Sequence, residues 1–289
     1  MNLASYTGYY INLDRSPDRR REVEAQLEAC RLADRYQRFP AVDGMTLAQG
    51  RLSPGAVGCF HSHYEALREG RSSGQCVHIL EDDVLLSKYT ASALHRIIEN
   101  GTLDRFDLFY TEALIPIVRE VLLPRKELFE SIVGARKNPS APINFRIVDI
   151  TKLYRACTSS YLVGTKSIDR VLEVLKRELD IGPSLPIDLY YQKLARAGKL
   201  KIGCLFPYAT SVRLEHILDT TIQKVGPDRR KQAMLYALVR YSFYIDRDLE
   251  NYARSHFQAI AGAGPAQAAD LHSAIIDYAL KFVASDTGA

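Results

Sequence analysis

The chain predicts an α/β fold whose largely parallel sheet is covered by helices on both faces. Three observations carry that expectation. Apolar, β-branched runs alternate with helical patterns from the first residues as far as Phe206. Two of those runs end in polar clusters, Asn12 to Arg15 and Glu81 to Asp83, and carboxyl ends of strands are where open α/β sheets hold ligands. From Gly226 onward only helical spacing remains.

In chain order, Gly8 to Leu13 reads as the first strand, and Asp14 and Arg15 turn the chain. Ser16 and Pro17 suit a helix N-cap and first helical residue. Val23, Leu27 and Cys30 then share one helical face. Arg19, Arg20 and Arg21 crowd that helix start, where free backbone N–H groups and positive charge favour a phosphate, or else are simply solvated. Tyr36 to Val42 is a short strand closed by Asp43-Gly44. Ser53-Pro54 opens a second helix, in which Gly58 implies close packing or close ligand approach. His61 and His63, two apart, cannot share a helix face and read as structural histidines. Val77 to Leu80 is a strand, Ala91 to Asn100 a helix, and Phe106 to Tyr110 a strand.

Between Thr111 and Leu153, Pro116, Pro124, Pro139 and Pro142 are expected to break up any regular element, leaving a lid, an acceptor-binding loop or a surface excursion. Thr158 to Gly164 returns to strand character. Ser167 to Leu179 is an amphipathic helix, Pro186 to Leu189 starts another, and Lys201 to Phe206 is a further strand. Asp228 is expected to cap a helix with a stripe at Met234, Leu238, Tyr241 and Ile245. A second stripe follows at Leu271, Ile275, Tyr278 and Phe282. The expected division is an α/β domain over 1–225 and a helical appendage over 226–289, its stripes packing on the main domain or on each other.

The 289 residues are 47% hydrophobic and 25% charged, ordinary for a soluble globular chain. No apolar stretch nears the roughly 20 residues of a membrane span. Met1 to Tyr10 lacks a basic n-region and an apolar h-region, so no secretory signal is expected. Five scattered cysteines without a Cys-x-x-Cys pair predict neither a zinc site nor a disulfide framework, and suit the cytoplasm. A net charge of +4 is compatible with an anionic substrate or peripheral contact with a membrane surface, and calls for no nucleic acid.

Glu81, Asp82 and Asp83 stand between the apolar runs Val77–Leu80 and Val84–Leu86. Burying three unpaired carboxylates is unfavourable. A divalent ion removes the difficulty, and hard oxygen ligands suit Mg²⁺ or Mn²⁺. A solvated acidic turn is the alternative. In an extended chain Glu81 and Asp83 point to one side and Asp82 to the other.

Three stretches together resemble glycosyltransferase family 25: Tyr10-Ile-Asn-Leu-Asp-Arg-Ser-Pro-Asp-Arg-Arg20 running on to Arg38-Phe-Pro-Ala-Val-Asp-Gly44, Leu52-Ser-Pro-Gly-Ala-Val-Gly-Cys-Phe-His-Ser-His63, and Ile79-Leu-Glu-Asp-Asp-Val84. Pro186-Ile187-Asp188 resembles the family's Pro-Val-Asp element. Phe206-Pro207 and Asp219 to Ile222 match more loosely. The resemblance implies a GT-A-like fold, a nucleotide-sugar donor (usually UDP-galactose), a saccharide or glycolipid acceptor in cell-surface glycan synthesis, and inversion at the anomeric carbon. It places Asn12, Arg15, Arg19, Ser62, His63 and Asp82 around the donor, with Asp83 as the leading metal ligand and Glu81 on the metal or the ribose. Asp188 becomes the candidate general base that an inverting transfer needs. A catalytically silent sugar-nucleotide or glycan binder, or a metal-dependent nucleotidyltransferase or hydrolase, is an alternative on the same fold.

Overall fold

The computed structural model describes residues 6–47, 51–134, 143–217, 227–246 and 249–286. In chain order β1 (Tyr6–Asn12) leads to α1 (Pro17–Ala29), β2 (Tyr36–Pro40), α2 (Pro54–Arg71), β3 (Cys76–Glu81) and β4 (Val84–Leu86). Next come α3 (Thr90–Glu99), β5 (Leu108–Tyr110), α4 (Arg119–Gly134), β6 (Arg146–Asp149) and β7 (Ser160–Val163). The chain closes with α5 (Ile168–Ile181), α6 (Ile187–Arg196), β8 (Ile202–Phe206), β9 (Thr210–Val212), α7 (Pro227–Tyr241), α8 (Glu250–Ala261), α9 (Ala263–Ala266) and α10 (Leu271–Asp286).

Seven strands form one sheet in the order β2-β1-β3-β7-β5-β8-β6. β1 pairs in parallel with both β2 and β3, and β5 with β8, while β7 and β6 run against their neighbours. Five strands therefore point one way, and the sheet is the mixed, mostly parallel kind expected, flanked by helices. The central strands are buried on both faces: Val77, Ile79, Leu80, Leu108, Phe109, Tyr161 and Leu162 have no exposed surface. That is why they read as continuous apolar runs rather than as alternation. β4 and β9 make a separate antiparallel pair beside the acidic turn.

Two regions depart from expectation. Thr111 to Leu153 is not irregular throughout, because it contains α4 and the edge strand β6. Pro124 lies inside α4. Its ring removes one backbone donor, and in the same turn Arg125 Nη1 donates to the Val121 carbonyl at 2.9 Å. Burial of Leu122, Phe129 and Ile132 holds the helix, so packing outweighs propensity. At the other end of the chain, α7 begins at Pro227, which places Asp228 in its first turn rather than at a cap. The predicted stripe Met234, Leu238, Tyr241 and Ile245 is buried. α7 packs on β9, α8 and α10, and α10 also reaches α4. The expected boundary at 225/226 and the loosely matching Asp219 to Ile222 involve residues outside those described.

Gly58 allows the close approach its position implied. A Cβ there would stand 2.4 Å from the Val42 carbonyl oxygen and 2.7 Å from the Gly44 nitrogen. α2 is thereby pressed onto the loop after β2, and the two together wall one side of the cleft described next.

Candidate active site

Two cavities open at the carboxyl ends of β1 and β3. The first, of about 80 Å³, is bounded by Arg15, Arg19, Asp43, His63 and Asp82 among others. That is phosphate-sized and well below the roughly 300 Å³ of a whole small-molecule site. The second, of about 450 Å³, is bounded by Asp83, Thr158, Asp188, His216, Tyr236 and Arg240 and by an apolar wall. Cys59 and Glu81 border both, so the end of β3 is where the two meet.

The acidic triplet divides between them, with Glu81 closing β3 and Asp82 and Asp83 in the turn that leads to β4. Asp82 turns toward β1 and α1. It accepts from Asn12 Nδ2 at 2.7 Å and lies 3.3 Å from Arg19 Nη1. Burial raises its carboxyl above the usual range, against the pull of Asn12 and Arg19. Glu81 accepts from Thr158 Oγ1 at 2.6 Å and lies 3.3 Å from His63 Nε2. Burial alone would raise Glu81, but His63 and Thr158 outweigh it and hold the carboxyl below the ordinary value. Asp83 has no such help: its Oδ1 is buried without a hydrogen-bond partner. Burial, and then repulsion from Glu81 and Asp82, push Asp83 up to about 7.

The remaining predicted residues take distinct places. Arg15 pairs with Asp43 at the mouth of the first cavity. Asn12 is almost wholly buried, and its amide is occupied: it donates to Asp82 and to the Ser16 carbonyl and accepts from Arg38 Nε at 3.1 Å. Asn12 thus orients Asp82 from behind the cavity wall. The Ser62 hydroxyl donates to the Gly58 carbonyl at 2.6 Å and accepts from the Val42 N–H at 2.8 Å, which fastens α2 to the loop after β2. His63 is buried, its Nδ1 3.0 Å from the Tyr161 hydroxyl. Asp188, in the first turn of α6, accepts from its neighbour's N–H, Leu189, at 2.7 Å and from the Cys157 N–H at 3.4 Å. Burial raises its carboxyl despite those two donors.

Sequence reasoning passed over four contributors. Thr158 anchors Glu81. Arg240 of α7 forms a bidentate pair with the fully buried Glu112 and donates to Cys157 Sγ at 2.7 Å, closing the second cavity from below. Cys157 holds a left-handed backbone at φ 88°, unusual for a residue with a side chain. Cys59 faces both cavities. Only Cys59 left a local signal: it lies four residues before His63, on the same face of α2.

A family model described as "Glycosyltransferase family 25 (LPS biosynthesis protein)" matches residues 6–190. The match takes in every predicted site residue from Asn12 to Asp188 and stops short of Arg240. Among curated proteins no match is found. No helix among the described residues is long and apolar enough to cross a membrane.

Proposed function

Because this chain belongs to glycosyltransferase family 25, whose members are sugar transferases of lipopolysaccharide synthesis, we propose that it moves galactose from UDP-galactose onto a saccharide acceptor by an inverting single displacement. The observation that carries this reading is the pair Glu81 and Asp83 where the two cavities meet, with Asp83 Oδ1 buried and unpartnered. A buried carboxylate oxygen in that state suits a hard divalent cation, which retains one or two carboxylates and takes its other oxygens from phosphate and water. Glu81 and Asp83 would hold Mn²⁺ or Mg²⁺, and when bound the ion supplies Lewis-acid neutralisation of the departing diphosphate.

The side chains divide the remaining work. Arg15 and Arg19 bring positive charge to the phosphate-sized cavity beside the start of α1. Asp82, aligned by Asn12, fixes Arg19 there. The larger cavity receives the transferred sugar and the acceptor. Asp188 takes the proton of the acceptor hydroxyl as that oxygen bonds to the anomeric carbon. The bond from that carbon to the phosphate oxygen breaks, and UDP leaves with its electron pair. A carboxyl raised by burial is a better base than an ordinary one. The acceptor is a saccharide or glycolipid, met at the membrane surface from the cytoplasmic side.

The test is UDP release from UDP-galactose with Mn²⁺ and truncated lipopolysaccharide acceptors. Asp188→Asn should lower kcat by about 10²–10⁴-fold while leaving donor binding, read by thermal shift, in place. In the wild type, the acid limb of kcat/KM should lie above that of an ordinary aspartate, in keeping with the raised Asp188 carboxyl. Full turnover by Asp188→Asn would remove it as the base.

A further inference from the structure

We propose that Cys59, His63 and Glu81 form a second kind of metal site: three ligands for a borderline-soft divalent ion of the zinc class, with a fourth position open to the two cavities. One sulfur, one ring nitrogen and one carboxylate oxygen of these residues lie within 4.8 Å of one another, the one such group of three or more among the described residues. Tetrahedral ligands about 2.0–2.1 Å from a zinc ion are separated by about 3.4 Å. His63 Nε2 and Glu81 Oε1 already stand 3.3 Å apart.

The state of His63 is the independent observation. Its ring is buried, yet Nε2 makes no hydrogen bond: the Glu81 oxygen is near but without hydrogen-bond geometry. The opposite ring nitrogen is fixed, 3.0 Å from the Tyr161 hydroxyl, and the ring stacks on Tyr161 with centroids 5.7 Å apart. Metal binding takes the tautomer protonated on Nδ1, which donates to Tyr161 and leaves the Nε2 lone pair for the ion in place of its contact with Glu81. Metal-bound histidines are held in this way, by a partner on the second nitrogen. Thr158 orients Glu81 from the other side at 2.6 Å. Cys59 and His63, four apart on α2, present sulfur and nitrogen from one rigid face.

This site shares Glu81 with the magnesium-type site on Glu81 and Asp83 and differs from it in its remaining donors. Thiolate and imidazole select zinc, cobalt and their neighbours, whereas Mg²⁺ takes oxygen. On binding, the Cys59 thiol loses its proton to solvent and a metal–sulfur bond forms, with no change of oxidation state. Three protein ligands leave one position for water or a substrate oxygen, as in catalytic rather than structural zinc sites.

Cobalt(II) titration of the purified chain is the test, and it needs no transferase activity. One equivalent should produce a sulfur-to-cobalt charge-transfer band together with the intense visible bands of a tetrahedral ion. Cys59→Ser should abolish the charge-transfer band, and Tyr161→Phe should weaken binding by about 10–100-fold. X-ray absorption of the zinc-loaded wild type should resolve one sulfur at about 2.3 Å. That measurement decides the matter even if Cys59→Ser fails to fold. An all-oxygen shell, or a charge-transfer band unchanged in Cys59→Ser, would overturn the site while leaving the Asp188 test untouched.

Discussion

Asp82 and Asp83 are neighbours at one strand end, yet the two sides of the cleft treat them oppositely. On the first side the polar groups are matched to one another: Asp82 has Asn12 and Arg19, and Arg15 has Asp43. On the second side Asp83 keeps a buried oxygen with no partner, and its carboxyl is pushed up to about 7. A charge satisfied within the protein shapes a wall. A charge left unsatisfied in a cavity is held for something that arrives from outside.

The sharpest way to break that contrast is to neutralise each aspartate. Asp83→Asn should lower metal-dependent transfer by about 5 kcal/mol of transition-state stabilisation, between about 10³- and 10⁴-fold in kcat. Its stability should hold or rise, because repulsion with Glu81 and Asp82 is relieved. Asp82→Asn should lower activity far less, and its stability should change little, because the burial that raises its carboxyl offsets the lost charged hydrogen bonds to Asn12 and Arg19. Steady-state kinetics at saturating Mn²⁺, set beside urea unfolding, reads both. A larger activity loss in Asp82→Asn would invert the assignment.

The second cavity nonetheless has one fully matched charge pair, at its floor. Arg240 and Glu112 are both buried and joined by two hydrogen bonds. Arg240→Met should destabilise the protein by about 4 kcal/mol, since Glu112 is left charged with only the neutral donors Ser159 and Cys157. The double change Arg240→Met with Glu112→Leu should recover most of that loss in urea unfolding. If the double variant is no better than the single, the penalty lies in packing rather than in an unpaired charge.

That pair also marks the limit of what the sequence could reveal. β1, β3 and α5 were legible because their apolar periodicity is local. The acidic triplet stood out because apolar runs flank it. Glu112 and Arg240 lie 128 residues apart, and neither carries a local sign of the other. α4 was hidden by Pro124, because a breaker rule cannot see that Phe129 and Ile132 will be buried. Asn12 and Ser62 were legible as special positions but not as positioning groups, since their hydrogen-bond partners are set by the fold. Cys59 and His63 sat in view at helical spacing, overshadowed by the nearer pair His61 and His63.

His78 offers the gentlest test of the same contrast, because it lies three residues before Glu81 on β3 and is matched on both sides. Its Nδ1 meets the Tyr36 hydroxyl and its Nε2 the Ser160 hydroxyl at 3.0 Å. The ring is wholly buried, and burial lowers its pKa from 6.5 to about 3. Below pH 6.5 the unfolded chain takes up a proton that the native ring refuses, so stability falls as pH falls and continues to fall toward the native value. At pH 5 the difference is about 1.5 units, or about 2 kcal/mol. His78→Gln cannot titrate. Whatever its own stability, its unfolding free energy should change less between pH 7 and 5 than that of the wild type, by about that amount. Parallel pH curves for the two proteins would show that the buried ring is not what makes the fold acid-sensitive, and that a matched polar group on this strand can accept charge after all.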